Sequence, residues 1–278
     1  MGSKDFDFLG KLKNAWDLYF SKNPHLILIL CGSISSWIEE IFSDLFSKSN
    51  TSHKEVVVCL ADGPKDLMQI CKELEKSQGG TYSKHLDDLV KAGFVQRDFT
   101  WHLDSGKESK LSRYRLSDNY LRFYMKYIAP NHSKIEKGLF SNSMLSSLPA
   151  WDSIMGLQFE NLVSHNRKIL WGMLGVPLEE IVMDGPFFQN PTTRQAGCQI
   201  DYMIQTRFNN LYVCEVKFSK NTIGQKIIRD MEEKIRRLKV PKRFSIRPVL
   251  IHVNEVEDSV LESRYFDKVV DFGQLLTG

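Results

Sequence analysis

The sequence predicts an α/β chain, α+β overall, in three parts: a helix-strand-helix segment over residues 1–46, a helical unit closed by a two-stranded hairpin over 54–127, and a mixed sheet flanked by helices over 150–278. Three observations predict it. The continuous apolar run Leu26–Cys31 reads as a strand buried on both faces, and Pro248–Val253, apolar but for His252, as a second buried strand. Apolar residues at helical spacing recur between them, and a pair of strand-like segments in the C-terminal half brackets a turn near Phe208.

Composition bounds the reading. With 42% hydrophobic and 26% charged residues, 278 residues can bury a core in each of two domains, and disorder is not expected. Cys31, Cys59, Cys71, Cys198 and Cys214 are odd in number, scattered and without a Cys-x-x-Cys pair, which fits free thiols in a reducing compartment. The start of the chain lacks a basic region followed by a long apolar core, and its most apolar run is far below membrane-spanning length. A cytoplasmic protein with no membrane partner is therefore expected. The histidines show no metal-ligand spacing and are read as structural.

Taken in order, Phe6–Phe20 has helical spacing, Pro24 ends that helix, and the Leu26–Cys31 strand leads to a second helix near Ser36–Phe46. Such a strand leaves unpaired edges unless something covers them, which makes a second copy or a separate ATPase chain a candidate partner. Ser47–His53 reads as a linker. Three helical patterns follow, Lys54–Leu60, Lys65–Leu74 and Tyr82–Ala92, separated by Asp62-Gly-Pro64 and by Gly79-Gly80-Thr81, whose Thr is placed to cap the third helix. Leu86, Leu89 and Val90 make that helix's apolar stripe, leaving Ser83, Lys84, His85 and Lys91 to face outward. Phe94–Leu103 and Lys110–Leu116 then pair around Asp104-Ser-Gly106. Three short helices and a two-stranded wing make a winged helix-turn-helix, in which Lys84, His85 and Lys91 are the expected DNA contacts. Ser117–Tyr127 is an aromatic-rich helix whose rings are read as packing between the two halves, and Asn131–Pro149 connects to the last domain.

That domain reads as a helix over Ser153–Leu174, a strand near Ile181, a hairpin of Gln199–Ile204 with Leu211–Phe218, a helix over Asn221–Lys239 and the strand Pro248–Val253. The hairpin carries the chemistry. Strand alternation puts Glu215 and Lys217 on one face and Val216 in the core. A turn centred on Phe208 makes paired residue numbers sum to 416, twice 208, and so sets Asp201 opposite Glu215. Facing Cβ atoms are then roughly 5 Å apart. Carboxylates that close repel unless a cation lies between them, which points to a hard divalent ion such as Mg2+ on Asp201 and Glu215. Such an ion lowers the pKa of bound water and shields phosphoryl charge, while the Lys217 ammonium orients the nucleophile or steadies the transition state of phosphodiester hydrolysis. Glu160, on the preceding helix, can reach the ion from the side. An ordinary charged hairpin face with a Glu–Lys pair is the competing reading.

Asp201 followed by Glu215-x-Lys217, with an acidic residue on a preceding helix and a helix after, resembles the PD-(D/E)XK nuclease superfamily, a restriction-endonuclease-like fold. The resemblance implies Asp201, Glu215 and Glu160 as metal ligands and Lys217 as a catalytic residue. A resemblance over the whole chain rests on Leu28–Ser33, Tyr114–Tyr124, Gly156–Glu160, Gly197–Asp201 and Cys214–Phe218. These stretches are similar to a family of prokaryotic AAA+ ATPases with a winged helix and a nuclease-like C-terminal domain of unknown function, DUF234-type. The chain departs from that family in having no Gly-x-x-x-x-Gly-Lys-[Ser/Thr] loop and no apolar strand ending in paired acids, so no ATP site is found and ATP hydrolysis is not expected. Residues 1–46 then read as a remnant of the ATPase core.

Residues 220–247 hold ten Lys or Arg against three acids, an imbalance that makes Lys226, Arg229, Arg236, Arg237, Lys242 and Arg243 candidate phosphate contacts. The stripe Ile223, Ile227, Met231, Ile235 and Leu238 turns that helix's basic residues outward. The sequence thus predicts a DNA-associated protein, either a Mg2+-dependent nuclease or a non-catalytic binding remnant.

Overall fold

The computed structural model describes residues 51–77, 80–139, 147–193 and 195–276. The expected remnant over 1–46 lies outside them. Helices α1 (Thr51–Ala61), α2 (Leu67–Glu73) and α3 (Gly80–Lys91) precede an antiparallel hairpin, β1 (Val95–His102) and β2 (Lys107–Leu116). Asp66 starts α2 for a local reason: its carboxylate accepts from Gln69 N at 2.8 Å while the Gln69 side chain accepts from Asp66 N at 2.9 Å. Helix α3 begins at Gly80, so Thr81, read as its cap, lies inside the first turn. Val56, Val57, Leu60, Ile70, Leu86 and Leu89 are buried beneath the three helices.

The expected aromatic helix is shorter than its pattern. Helix α4 (Asn119–Phe123), started by Asp118, widens into a π turn over Tyr124–Ile128 and is followed by α5 (His132–Glu136). Its rings do pack across the two halves, Phe123 and Tyr127 lying edge-on or tilted against Trp151 at centroid distances of 6.4 and 5.9 Å. Trp151 opens α6 (Trp151–His165), and the single helix expected to Leu174 is two, because Asn166 leaves helical geometry and its amide donates to Leu162 O at 2.8 Å. The remainder is α7 (Arg167–Leu174).

The described sheet of this half is mixed, ordered β3 (Ile181–Gln189), β4 (Cys198–Thr206), β5 (Asn210–Phe218), β6 (Ser245–Val253) and β7 (Lys268–Asp271). The first three strands are antiparallel and the last three parallel. Helix α8 (Lys226–Arg237) is the crossover between β5 and β6, and α9 (Asp258–Glu262) precedes β7. Helix α8 starts later than its pattern because Ile223 is held in an extended bridge to Val256. Both faces of the sheet are covered. Ile227 and Met231 of α8 share one core with Leu211, Val213 and Leu250, while Phe159 and Val163 of α6 share the other with Cys214, Val216 and Val249. That is why Pro248–Val253 is apolar at every position but His252.

The described residues fall within one compact unit, and the hairpin is the joint within it. Trp101 of β1 stands edge-on to Phe187 of β3 and donates to Gln205 Oε1 at 2.7 Å, and Gln205 donates back to Leu103 O at 3.0 Å. At the tip, Arg243 donates to Asp104 O at 2.7 Å. Arg115 is buried and pairs with Asp98 at 2.9 Å, which compensates the desolvation of both ions, and it also bonds Asn161 of α6. Asn161 in turn donates to Leu116 O, Ser117 O and Asn119 Oδ1 at 2.9, 3.1 and 2.9 Å.

Candidate functional site

The hairpin register is the expected one. Tyr202 faces Cys214, Met203 Val213, Ile204 Tyr212 and Gln205 Leu211, each pair summing to 416. Asp201 lies just beyond these pairs, at a bulge. Gly185 pairs with Met203 and Phe187 with Ile200, so one residue of β3, Pro186, opposes two of β4, Asp201 and Tyr202. Pro186 has no N–H to leave unpaired, and Gly185, at φ +137, adopts a backbone conformation closed to other residues. The bulge shifts the alternation, so Ile200 and Met203 reach one core while Tyr202 reaches the other. Asp201 is thereby re-aimed, and its Oδ2 accepts from Val216 N at 3.0 Å.

Glu215 shares its face of β5 with Leu211 and Val213 and so looks toward α8. What meets it there is Lys234, whose Nζ lies 3.2 Å from Asp201 Oδ1 and also bonds Glu215 Oε2. The two carboxylates expected to flank a divalent ion thus flank an ammonium. Sequence reasoning passed over Lys234, although the signal was present: Lys234 is three residues after Met231 and four before Leu238, inside the buried stripe of the helix.

The site is strongly coupled. Glu215, only 8% exposed, has its carboxyl pushed up to about 7 by burial and then by the Asp201 charge, against the opposing pull of Lys234 and Lys217. Glu160 on α6 is pushed up to about 7 by the same two causes, with Arg115, Lys234 and Arg122 opposing. Burial alone would lower Lys234, but Asp201 and Glu215 overcome it and raise its pKa. Glu160 and Asp201 line a cleft with Asp98, Arg113 and Arg115 of the hairpin, so the wing contributes to its wall. The three acids do not all converge: the described residues hold a single trio of metal-ligating side chains with every donor atom within 4.8 Å of the others, and it is His53, His85 and Asp88. Lys217 is exposed on β5, beside His252 of β6.

The expected nucleic-acid contacts divide similarly. Lys84 and Lys91 are exposed on α3, and Lys226 and Arg229 on α8. His85 departs from its expected outward position, since its ring is half-buried and turned to His53 of α1. Arg236 and Arg237 are exposed but engaged by Glu233 of their own helix, at 2.7 and 2.6 Å. Arg113 of the wing is engaged as well: it donates to Gln199 at 2.7 Å and lies over the Phe188 ring. In this arrangement α3 is open to a partner, as are Lys107 and Lys110 of the wing, which are exposed.

These features define a winged-helix protein of mixed α and β structure whose sheet domain holds a buried acid–lysine cluster. Residues 47–97 match the family model of bacterial regulatory proteins of the arsR family, a helix-turn-helix family, which supports association with DNA. The chain is similar to an uncharacterized protein, MJECL04, of Methanocaldococcus jannaschii, 28% identical over 112 residues that make up 40% of this chain and 24% of that protein. It thus spans about a quarter of the length of that relative. A repair endonuclease from Pyrococcus abyssi aligns over 40% of this chain and 44% of its own at 16% identity and a TM-score of 0.28, a score too low to define a shared fold. The resemblance to AAA+ ATPases and to the DUF234-type domain rests on the sequence motifs alone. No helix of the described residues is long and apolar enough to cross a membrane.

Proposed function

We propose that this protein associates with DNA through its helix-turn-helix and hydrolyses phosphodiester bonds with Mg2+ at Asp201 and Glu215. The supporting observation is the position of Lys234, a stand-in cation bonded at once to Asp201 Oδ1 and Glu215 Oε2. Two carboxylate oxygens that converge on an ammonium are the oxygen set a hard divalent ion uses. Bound there, Mg2+ would supply Lewis-acid activation of water and of the phosphoryl group. The chain's own groups do the rest. Glu160, with its carboxyl raised to about 7, can take up or release a proton near neutral pH. Lys217, exposed on the same face as Glu215, is available to phosphate oxygens. Lys84 and Lys91 of α3 and Lys226 and Arg229 of α8 are open to the backbone of the nucleic acid.

The same observation favours a second reading. If Lys234 holds the two acids permanently, the cluster is a structural ion trio and the protein binds DNA without cutting it. Incubating supercoiled plasmid with the purified protein and Mg2+ separates the readings. Nicking that is lost in Glu215→Ala and Lys217→Ala establishes the nuclease. Plasmid retained in a gel shift but left intact by wild type and variants alike establishes the binding protein.

A further inference from the structure

A second cluster lies in the helix-turn-helix, remote in sequence from the carboxylates. His85 and Asp88 are three residues apart on α3 and so project from one helical face. That face turns toward His53, near the start of α1. His85 Nδ1 is 3.3 Å from His53 Nε2, and Asp88 Oδ2 is 3.7 Å from that same Nε2. All three residues are half-buried, and all three donor atoms lie within 4.8 Å of one another. The two rings are inclined at 65°, so their nitrogens converge and their faces do not stack.

Hydrogen bonding uses only some of this arrangement. The two imidazoles can share one proton, which leaves the Asp88 oxygen 3.7 Å from the nitrogen already engaged. His53 Nδ1, the ring nitrogen outside the triangle, is buried with no partner, and a cation held on Nε2 leaves it so. A cation at the centre of the triangle would instead use all three donors. The 3.3 Å separation of the two histidine nitrogens matches the roughly 3.3–3.4 Å between ligands of a tetrahedral Zn2+ with bonds of about 2.0–2.1 Å, and the 3.7 Å from Asp88 lies a little beyond it. Two imidazoles and a carboxylate select a borderline ion of the Zn2+, Co2+ or Ni2+ type over Mg2+, which favours oxygen.

We propose that His53, His85 and Asp88 bind one divalent transition-metal ion of the Zn2+ type, which staples α3 to α1 and keeps its fourth position for water. The two histidines lie 32 residues apart on different helices, so nothing in their spacing announced the site. Lys84 is near enough to His85 to oppose a cation, and Asp88 favours one. The proposal stands independently of the nuclease reading.

The test uses the full chain, stripped of metal and titrated with Zn2+, and with Co2+ as an optical probe. The background is Asp201→Asn/Glu215→Gln, which removes the other acidic site. The expected result is an equivalent of metal with the visible absorption of tetrahedral Co2+. In His53→Gln and in His85→Gln its affinity falls by at least about 100-fold, the upper end of what loss of an outer-shell partner causes. Zn2+ also shields both histidines of the wild type from diethyl pyrocarbonate, read by peptide mass spectrometry, a measurement that needs no variant to fold. Metal binding unchanged in both variants, or modification of His53 and His85 unaffected by Zn2+, overturns the proposal and leaves a hydrogen-bonded His–Asp cluster.

Discussion

Lys234 is 28% exposed at its side chain, yet its ammonium is the centre of the acidic cluster. Its charge stabilises two carboxylates that would otherwise repel, and it takes the position a divalent ion would need. Those two roles predict opposite responses to Mg2+. Lys234→Met keeps the stem that packs in the helix stripe and removes only the charge. At about pH 8 without metal the variant should be less stable than wild type by roughly 3–5 kcal/mol, the loss typical of breaking a buried pair. If the ammonium and the ion compete for the same oxygens, Mg2+ should then raise the melting temperature of the variant more than that of wild type. Equal shifts in the two proteins would show that the ion, wherever it binds, does not share this position. The cluster was half legible in the sequence. Asp201, Glu215 and Lys217 announce themselves on alternating strands, whereas a lysine on an amphipathic helix reads as solvated surface until its place on the apolar stripe is counted.

Among the elements, the β1–β2 hairpin has become integral to the sheet domain. Gly106 at its tip has φ +64, and a Cβ built there would lie 2.5 Å from Val182 Cγ1 of β3. Two separable penalties therefore attach to Gly106→Ala: backbone strain, typically near 1 kcal/mol, and a steric clash, typically 1–3 kcal/mol. Chemical denaturation of Gly106→Ala, Val182→Ala and the double variant should show the second change recovering the steric penalty and leaving the backbone penalty. Full additivity of the two single changes would mean that the tip does not rest on β3. The hairpin itself was legible from Asp104-Ser-Gly106, and so was the 416 register, because both depend on residues close in sequence. Its docking was not legible, since Trp101 and Gln205 are 104 residues apart and each alone reads as an ordinary strand residue. The bulge at Asp201 was hidden for the same reason: it is defined by the pairing with Gly185 and Phe187, not by β4 and β5 alone.

For the whole described unit, the buried acids make stability depend on pH in a direction that can be derived. Glu160 and Glu215 ordinarily titrate at 4.5 and are raised to about 7 in the folded chain. Between those values the folded state holds more protons than the unfolded state. Their contribution therefore falls as pH rises from about 4.5 to about 7 and is level above. His85 and His165, held below 6.5 mainly by burial, act in the opposite sense, because a penalty for charging them disappears as pH rises toward 6.5. The raw profile of the wild type mixes these contributions, and the comparison with Glu215→Gln isolates one of them. A carboxyl moved from 4.5 to about 7 changes stability by at most about 3 kcal/mol over this window. Measured by urea denaturation in chelator, the Gln variant should gain on wild type by up to that amount between about pH 5 and pH 8, since amide replaces a carboxyl that the fold prefers protonated. A constant difference across the window would place the Glu215 titration at its ordinary value and remove the charge strain that favours a cation between Asp201 and Glu215.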